Sequence, residues 1–306
     1  QAVTPPEGLV SAVDHSLSAP SGYGILERTD RNTTHIWEEM APVSVARFAY
    51  DGVETLGDKI YFAGGYNGSG QNLLEEYDPS TDIWKTLAPM NQARPALAAA
   101  VMHGKYYAIG GNPGGVEIYD PATDQWSTGT APPLAVDHGT AITINGKILL
   151  VGGRSSGQLI DKVFEYDPIT DLWSEKSSMS IARSGVSLLI LNGKIWAIGG
   201  KVVGASTDVV EIYDPLADQW TVAPNLTTKR DMASVWAANG VLHVGGGHEG
   251  QGFSPLGSIE KFDQSSQQWV SAGNLPEIKD AADASVLGNK VYVVSGKNGN
   301  AYSNKV

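Results

Sequence analysis

The chain has 306 residues, of which 42% are hydrophobic and 18% charged, with a formal net charge of -12. That balance argues against a general nucleic-acid binder, which needs a basic surface to displace counterions from phosphates. No apolar run reaches the roughly 18 residues of a membrane span, so a soluble chain without membrane insertion is expected. The absence of cysteine excludes disulfides, thiolate metal sites and thiol nucleophiles, and leaves the compartment open.

The chain opens at Gln1 with a Pro-, Ser- and Ala-rich stretch lacking any sustained period, so residues 1–23 are expected to be a linker or surface tail of an excised or processed, larger multidomain chain. From Ile25 through Pro42, the segments ILERTD and HIWEEMAP read as two isolated strands. A repeat follows over residues 43–90, 91–133, 134–179, 180–226 and 227–276. Each copy holds an apolar run closing on a glycine pair (YFAGG, YYAIGG, ILLVGG, IWAIGG, LHVGGG). It continues with a Tyr-Asp-Pro segment and a Trp, as in EEYDPSTDIW and EIYDPATDQW, and the last copy is worn to EKFDQSSQQW. Asn-Gly between the first two apolar runs, as at Asn192-Gly193, predicts a type I′ hairpin turn, and Asp-Pro-x-x-Asp predicts a second turn. Each repeat is therefore a four-stranded antiparallel sheet. The alanine-rich stretch from Asn91 to His103 reads as a channel-side strand rather than a helix, because Pro95 interrupts it. The repeated Trp and Tyr read as core, and the glycines as points of close approach between sheets. Residues 279–306 supply only two strands, so the segment over residues 24–42 is expected to complete the last sheet and remove the open edges.

The double glycine, the Tyr before Asp-Pro and the Trp, with tryptophans about 42 to 49 residues apart, resemble the Kelch repeat of galactose oxidase-like propellers. The resemblance covers residues 24 to 306 and implies an all-β fold: a six-bladed β-propeller of four-stranded antiparallel blades. It also implies that the loops joining strands two and three, and strand four to the next strand one, share one face. In register, that face would carry Tyr66, Asn112, Arg154, Lys201, His248 and Lys297 after the glycine pairs, and Arg47, Arg94, Val136, Arg183, Arg230 and Lys279 ahead of strand one. With the carboxylates Glu75, Asp78, Glu117, Asp120, Glu211, Asp214 and Glu260 read as lying elsewhere, this face is expected to be basic. It would then bind an acidic protein or peptide, or an anionic carbohydrate. The plainer reading is that the arginines pack between blades.

Catalysis has few foundations. Copper chemistry of the galactose oxidase kind needs a cysteine, no metal motif or nucleotide loop appears, and no cofactor is expected. What the resemblance leaves is a sugar mutarotase or epimerase site with Asp137, His138 or His248 as acid or base, and Asp231, Glu277 and Asp280 nearby. A non-enzymatic binding module is the leading expectation, and a structural spacer the third. Sequons at Asn32, Asn67 and Asn225 favour an extracellular or periplasmic setting.

Overall fold

A computed structural model of the chain describes residues 24–26, 36–48, 50–250, 254–298 and 301–306. The expected tail over residues 1–23 and the sequon at Asn32 lie outside them. Every regular element among the described residues is a strand.

Five blades are each drawn from continuous chain. Their first strands are Val53–Leu56, Leu97–Met102, Thr140–Ile144, Ser187–Leu191 and Ser234–Ala238, and their fourth strands are Ile83–Thr86, Gln125–Gly129, Leu172–Lys176, Gln219–Ala223 and Gln268–Asn274. The remaining four-stranded sheet is composite, running Ile36–Glu38, Gly24–Leu26, Lys290–Val294, Asp283–Leu287 from outside in. Gly24 lies opposite Tyr292 and Leu26 opposite Lys290, so the N-terminal segment completes the C-terminal sheet as the edge argument requires. The first strands touch one another in sequence around the channel, and Asp283–Leu287 touches both Ser234–Ala238 and Val53–Leu56, which closes the ring.

The expected hairpin turns are present. Asn145 and Gly146, Asn192 and Gly193, and Asn239 and Gly240 all have positive φ, which a type I′ turn demands at both central positions. The alanine-rich stretch forms the buried strand Leu97–Met102.

The glycine pairs join neighbouring blades. The second glycine donates its N–H to the carbonyl that precedes the next blade: Gly65 to Arg94 (3.1 Å), Gly111 to Val136 (2.9 Å), Gly153 to Arg183 (2.8 Å), Gly200 to Arg230 (2.9 Å) and Gly247 to Lys279 (3.0 Å). Gly296 to Arg47, at 3.2 Å, repeats the bond across the closure. A Cβ on Gly199 would stand 2.3 Å from the Arg230 oxygen, so side chains are excluded by the approach itself.

Expectation and structure differ at the repeated tryptophans. Trp84, Trp126, Trp173 and Trp220 lie on outer strands and are only half-buried. Their indole N–H groups donate to Ala41, Ala88, Thr130 and Ser177 carbonyls of the preceding blade at 2.7 to 2.9 Å. The N–H of the same four residues is accepted by Asp82, Asp124, Asp171 and Asp218. Tyr77, Tyr119, Tyr166 and Tyr213 donate their hydroxyls to those same aspartates. In these four places one residue is thus gripped at both its N–H and its C=O by the Tyr, Asp and Trp of the next blade. The polar handle of Trp, rather than its area alone, explains the repeat.

Candidate binding face and central channel

The arginines ahead of strand one do not face solvent. Arg47, Arg94, Arg183 and Arg230 are at most 2% exposed. They pair with Glu75 (2.6 Å), Glu117 (3.1 Å), Glu211 (2.6 Å) and Glu260 (2.8 Å). Each also donates to the carbonyl of the first glycine of its own blade, at Gly64, Gly110, Gly199 or Gly246. Burial pulls the guanidinium pKa of Arg47, Arg183 and Arg230 down, and the facing glutamate opposes it. The glutamates accept backbone N–H groups as well, from Ser44, Asn91, Ser180 and Thr227. The expected separation of cations from carboxylates is therefore corrected at these positions: the plainer packing reading describes them. A buried charge persists only when paired and hydrogen-bonded, and here both conditions are met.

Blade three departs from the pattern at both partners together. Val136 replaces the arginine and Phe164 the glutamate, and both are buried in one apolar cluster. Lys279 fills the arginine position ahead of the composite sheet. It is 5% exposed, donates to the Lys305 carbonyl at 3.3 Å, and is pushed down to about 8 by burial.

The residues after the glycine pairs do reach the loop face. Tyr66, Arg154, Lys201, His248 and Lys297 pair through the main chain with Phe48, Asp137, Ser184, Asp231 and Asp280. Asn112 is exposed in the second blade's loop. Arg154, 41% exposed at its side chain, donates to Asp137 at 2.8 Å and lies 2.9 Å from His138 Nδ1. His138 Nδ1 is in turn 2.6 Å from Asp137. Burial is the largest influence on Asp137, but the bonds from His138 and Arg154 outweigh it and hold its carboxyl below the usual range. His248 is fully buried, with Nε2 2.8 Å from Asp231 and Nδ1 2.8 Å from Asp280. Burial alone would lower its pKa. The two carboxylates overturn that and raise it to about 9, making His248 an imidazolium tie between the fifth blade and the composite sheet. Glu277, also expected near the sugar, pairs with Lys305.

Sequence reasoning missed two features. The first is an aromatic cluster on this face: Phe48 stacks with Tyr66 (5.8 Å) and meets Tyr302 (5.2 Å) and Tyr50 (5.3 Å), with Lys297 Nζ 5.4 Å from the Phe48 centroid. The second is a channel cavity of about 310 Å³ whose wall includes Asp51, Glu54 and Asp283. Asp51 accepts N–H bonds from Ala99 and Ala141, and Asp283 from Val53. The available signal was positional. In register with Asp51 the other sheets hold Leu97, Gly139, Val186, Ala233 and Ala282, so a carboxylate there is foreign to the repeat.

A ring of four-stranded antiparallel sheets, joined by glycine pairs and Tyr-Asp-Trp clasps around a channel, defines a Kelch-type β-propeller. Residues 53–231, more than half of the chain, match the family profile described as the KLHDC2/KLHL20/DRC7 Kelch-repeats domain, and the chain belongs to the Kelch-repeat family. It is 34% identical over 85 residues to Kelch-like protein 36 of Bos taurus, covering 26% of this chain and 14% of that protein. It is 40% identical over 76 residues to the influenza virus NS1A-binding protein homolog of Mus musculus, covering 24% and 12%. The chain thus spans a small fraction of these relatives' length. The solved structure of YjhT aligns with a TM-score of 0.77 over 87% of this chain and 95% of that one at 16% identity, a likeness of fold alone.

Proposed function

We propose that this chain is a non-enzymatic protein-binding module that uses its loop face, with the composite sheet serving as the sixth blade and the whole forming part of a longer extracellular or periplasmic protein. The observation that carries this reading is the half-exposed cluster of Phe48, Tyr66 and Tyr302 beside Lys297. Aromatic residues with a neighbouring cation are the side chains that most often dominate protein interfaces. Kelch membership supports it, as does the name of the mouse relative, which describes binding of a viral protein.

The partner is best read as a peptide segment placing an apolar residue on the aromatic cluster and an adjacent carboxylate near Lys297 and Lys201. Most of the arginines are absorbed in internal pairs, so charge contributes less than the sequence led one to expect, and salt should weaken binding only mildly. A mutarotase reading loses His248 to its buried tie.

The test is fluorescence anisotropy with labelled acidic-aromatic, acidic and neutral peptides and with sulfated and carboxylated glycans. The acidic-aromatic peptide should bind best, and Tyr66→Ser/Tyr302→Ser should weaken it by about thirtyfold without lowering Tm. Undiminished binding in that variant, or preference for a glycan, would overturn the assignment.

A further inference from the structure

The channel cavity lies below the loop face and has its own chemistry. Its volume of about 310 Å³ falls at the lower end of the range for ligand pockets. Asp51, Glu54 and Asp283 line it together with the hydroxyls of Thr55 and Ser285, and Leu189, Met232 and Val235 give it an apolar wall. The other titratable groups on the wall are Tyr50 and His138, which meet edge to face, and His138 is occupied by Asp137 and Arg154. Tyr106, behind the wall, donates to the Gly52 carbonyl. No lysine or arginine among the described residues lines the space.

Three half-buried carboxyl groups therefore share one cavity without a cation among the described residues of its wall. Asp51 and Asp283 are held in place by backbone N–H groups, whereas Glu54 makes no hydrogen bond among the described residues. Trp236 adds a polar donor to the same wall. It is 1% exposed, its benzo edge packs on Gly245, and its indole N–H has no acceptor among the described residues although the side chain forms part of the cavity wall. No three His, Asp or Glu side chains among the described residues are grouped to hold a metal ion.

We propose that the channel cavity is a site for a small molecule carrying a primary ammonium group, which Glu54 and Asp283 receive, and a hydroxyl or carbonyl oxygen, which the Trp236 N–H receives. The site is separate from the protein-binding face and does not depend on that reading. Burial, and then repulsion from Asp283, raise Asp51 and Glu54 well above the ordinary carboxylate range, and burial raises Asp283 to about 7. The empty site therefore holds protons, and an ammonium group takes their place. Binding must tighten as pH rises, since proton release accompanies it.

The experiment is isothermal calorimetry on the whole chain with three probes of matched shape: aminocyclohexanol, cyclohexanediol and hydroxycyclohexanecarboxylate. Putrescine serves as a second amine. The amines should bind at least about tenfold more tightly than the diol at pH 8, weaken about tenfold by pH 5, and leave the carboxylate without measurable binding. Glu54→Gln, which removes no intramolecular hydrogen bond, should abolish amine binding without lowering Tm and without changing peptide binding at the loop face. The pH series on the unaltered protein gives an independent readout if that variant fails to fold. Equal affinity for amine and diol, amine binding indifferent to pH, or no amine binding up to about 10 mM would overturn the proposal.

Discussion

Each buried guanidinium in this ring faces one glutamate, and removing either partner alone strands a charge. Arg183→Val is expected to cost about 3 to 5 kcal/mol, because Glu211 is left buried and unpaired. The double change Arg183→Val/Glu211→Phe copies Val136 and Phe164 of the third blade and should recover most of that loss, as urea denaturation of the two single variants and the double variant would show. His248 makes a different prediction. Its folded pKa of about 9 lies above the ordinary value near 6.5, so its contribution is complete below about pH 6.5 and is lost as pH rises through 9. His248→Gln should destabilise by on the order of 3 kcal/mol at pH 6, with the gap to the unaltered protein narrowing by pH 10; a constant gap would show that the imidazole is neutral. The sequence placed these residues correctly along the chain but not in depth. Position in a repeat gives the blade and the strand, while the direction of a long side chain depends on what lies beneath it. The joint loss of Arg and Glu at Val136 and Phe164 was the readable clue that the two are partners.

At the level of strands and turns, the sequence was more informative, because glycine pairs and Asn-Gly turns act through backbone geometry that few other residues permit. Gly199 and Gly193 separate the two demands. Both have positive φ, but a Cβ on Gly193 would meet nothing within 4 Å, whereas one on Gly199 would strike the Arg230 carbonyl. Gly193→Ala should therefore cost about 1 kcal/mol for the left-handed backbone alone. Gly199→Ala should cost about 3 kcal/mol or more, since the bond from Gly200 to Arg230 must also shift. Thermal denaturation of the pair checks this, and equal losses would mean that the blades are not in close contact there. The outer tryptophans were read correctly as structural yet wrongly as buried core. A repeated Trp signals a conserved environment without saying whether its rings or its N–H matters more.

Across the whole molecule, three carboxyl groups meet where the sheets converge on the channel. Asp283 stands at the closure, taking the Val53 N–H from the first blade, and its pKa of about 7 lies above the ordinary carboxylate value near 4. The folded state therefore keeps a proton that the unfolded chain releases, so stability from this group is full below about pH 4, falls as pH rises and levels off above about 7. Asp283→Asn, whose amide oxygen can still accept from Val53, should leave the urea midpoint unchanged at pH 4 and raise it at pH 8; no difference at pH 8 would show that the carboxyl is ordinarily ionised. Asp51 was legible in the chain as a carboxylate foreign to its place in the repeat, but its partnership with Asp283 was not, because only the closed ring brings residues 51 and 283 into one cavity.

The composite sheet has a mechanical consequence. Gly24, where the first strand begins, sits opposite Tyr292, near the end of Lys290–Val294, so the two chain directions leave this pairing at the same end of the ladder. Tension on these two strands therefore loads their bonds one at a time, in the manner of a zipper, but only after the bonds from Met40 to Val306, Val43 to Asn304 and Arg47 to Ser303 have given way. The pairing is thus a seam that opens stepwise, guarded by residues 303–306 laid against residues 40–47.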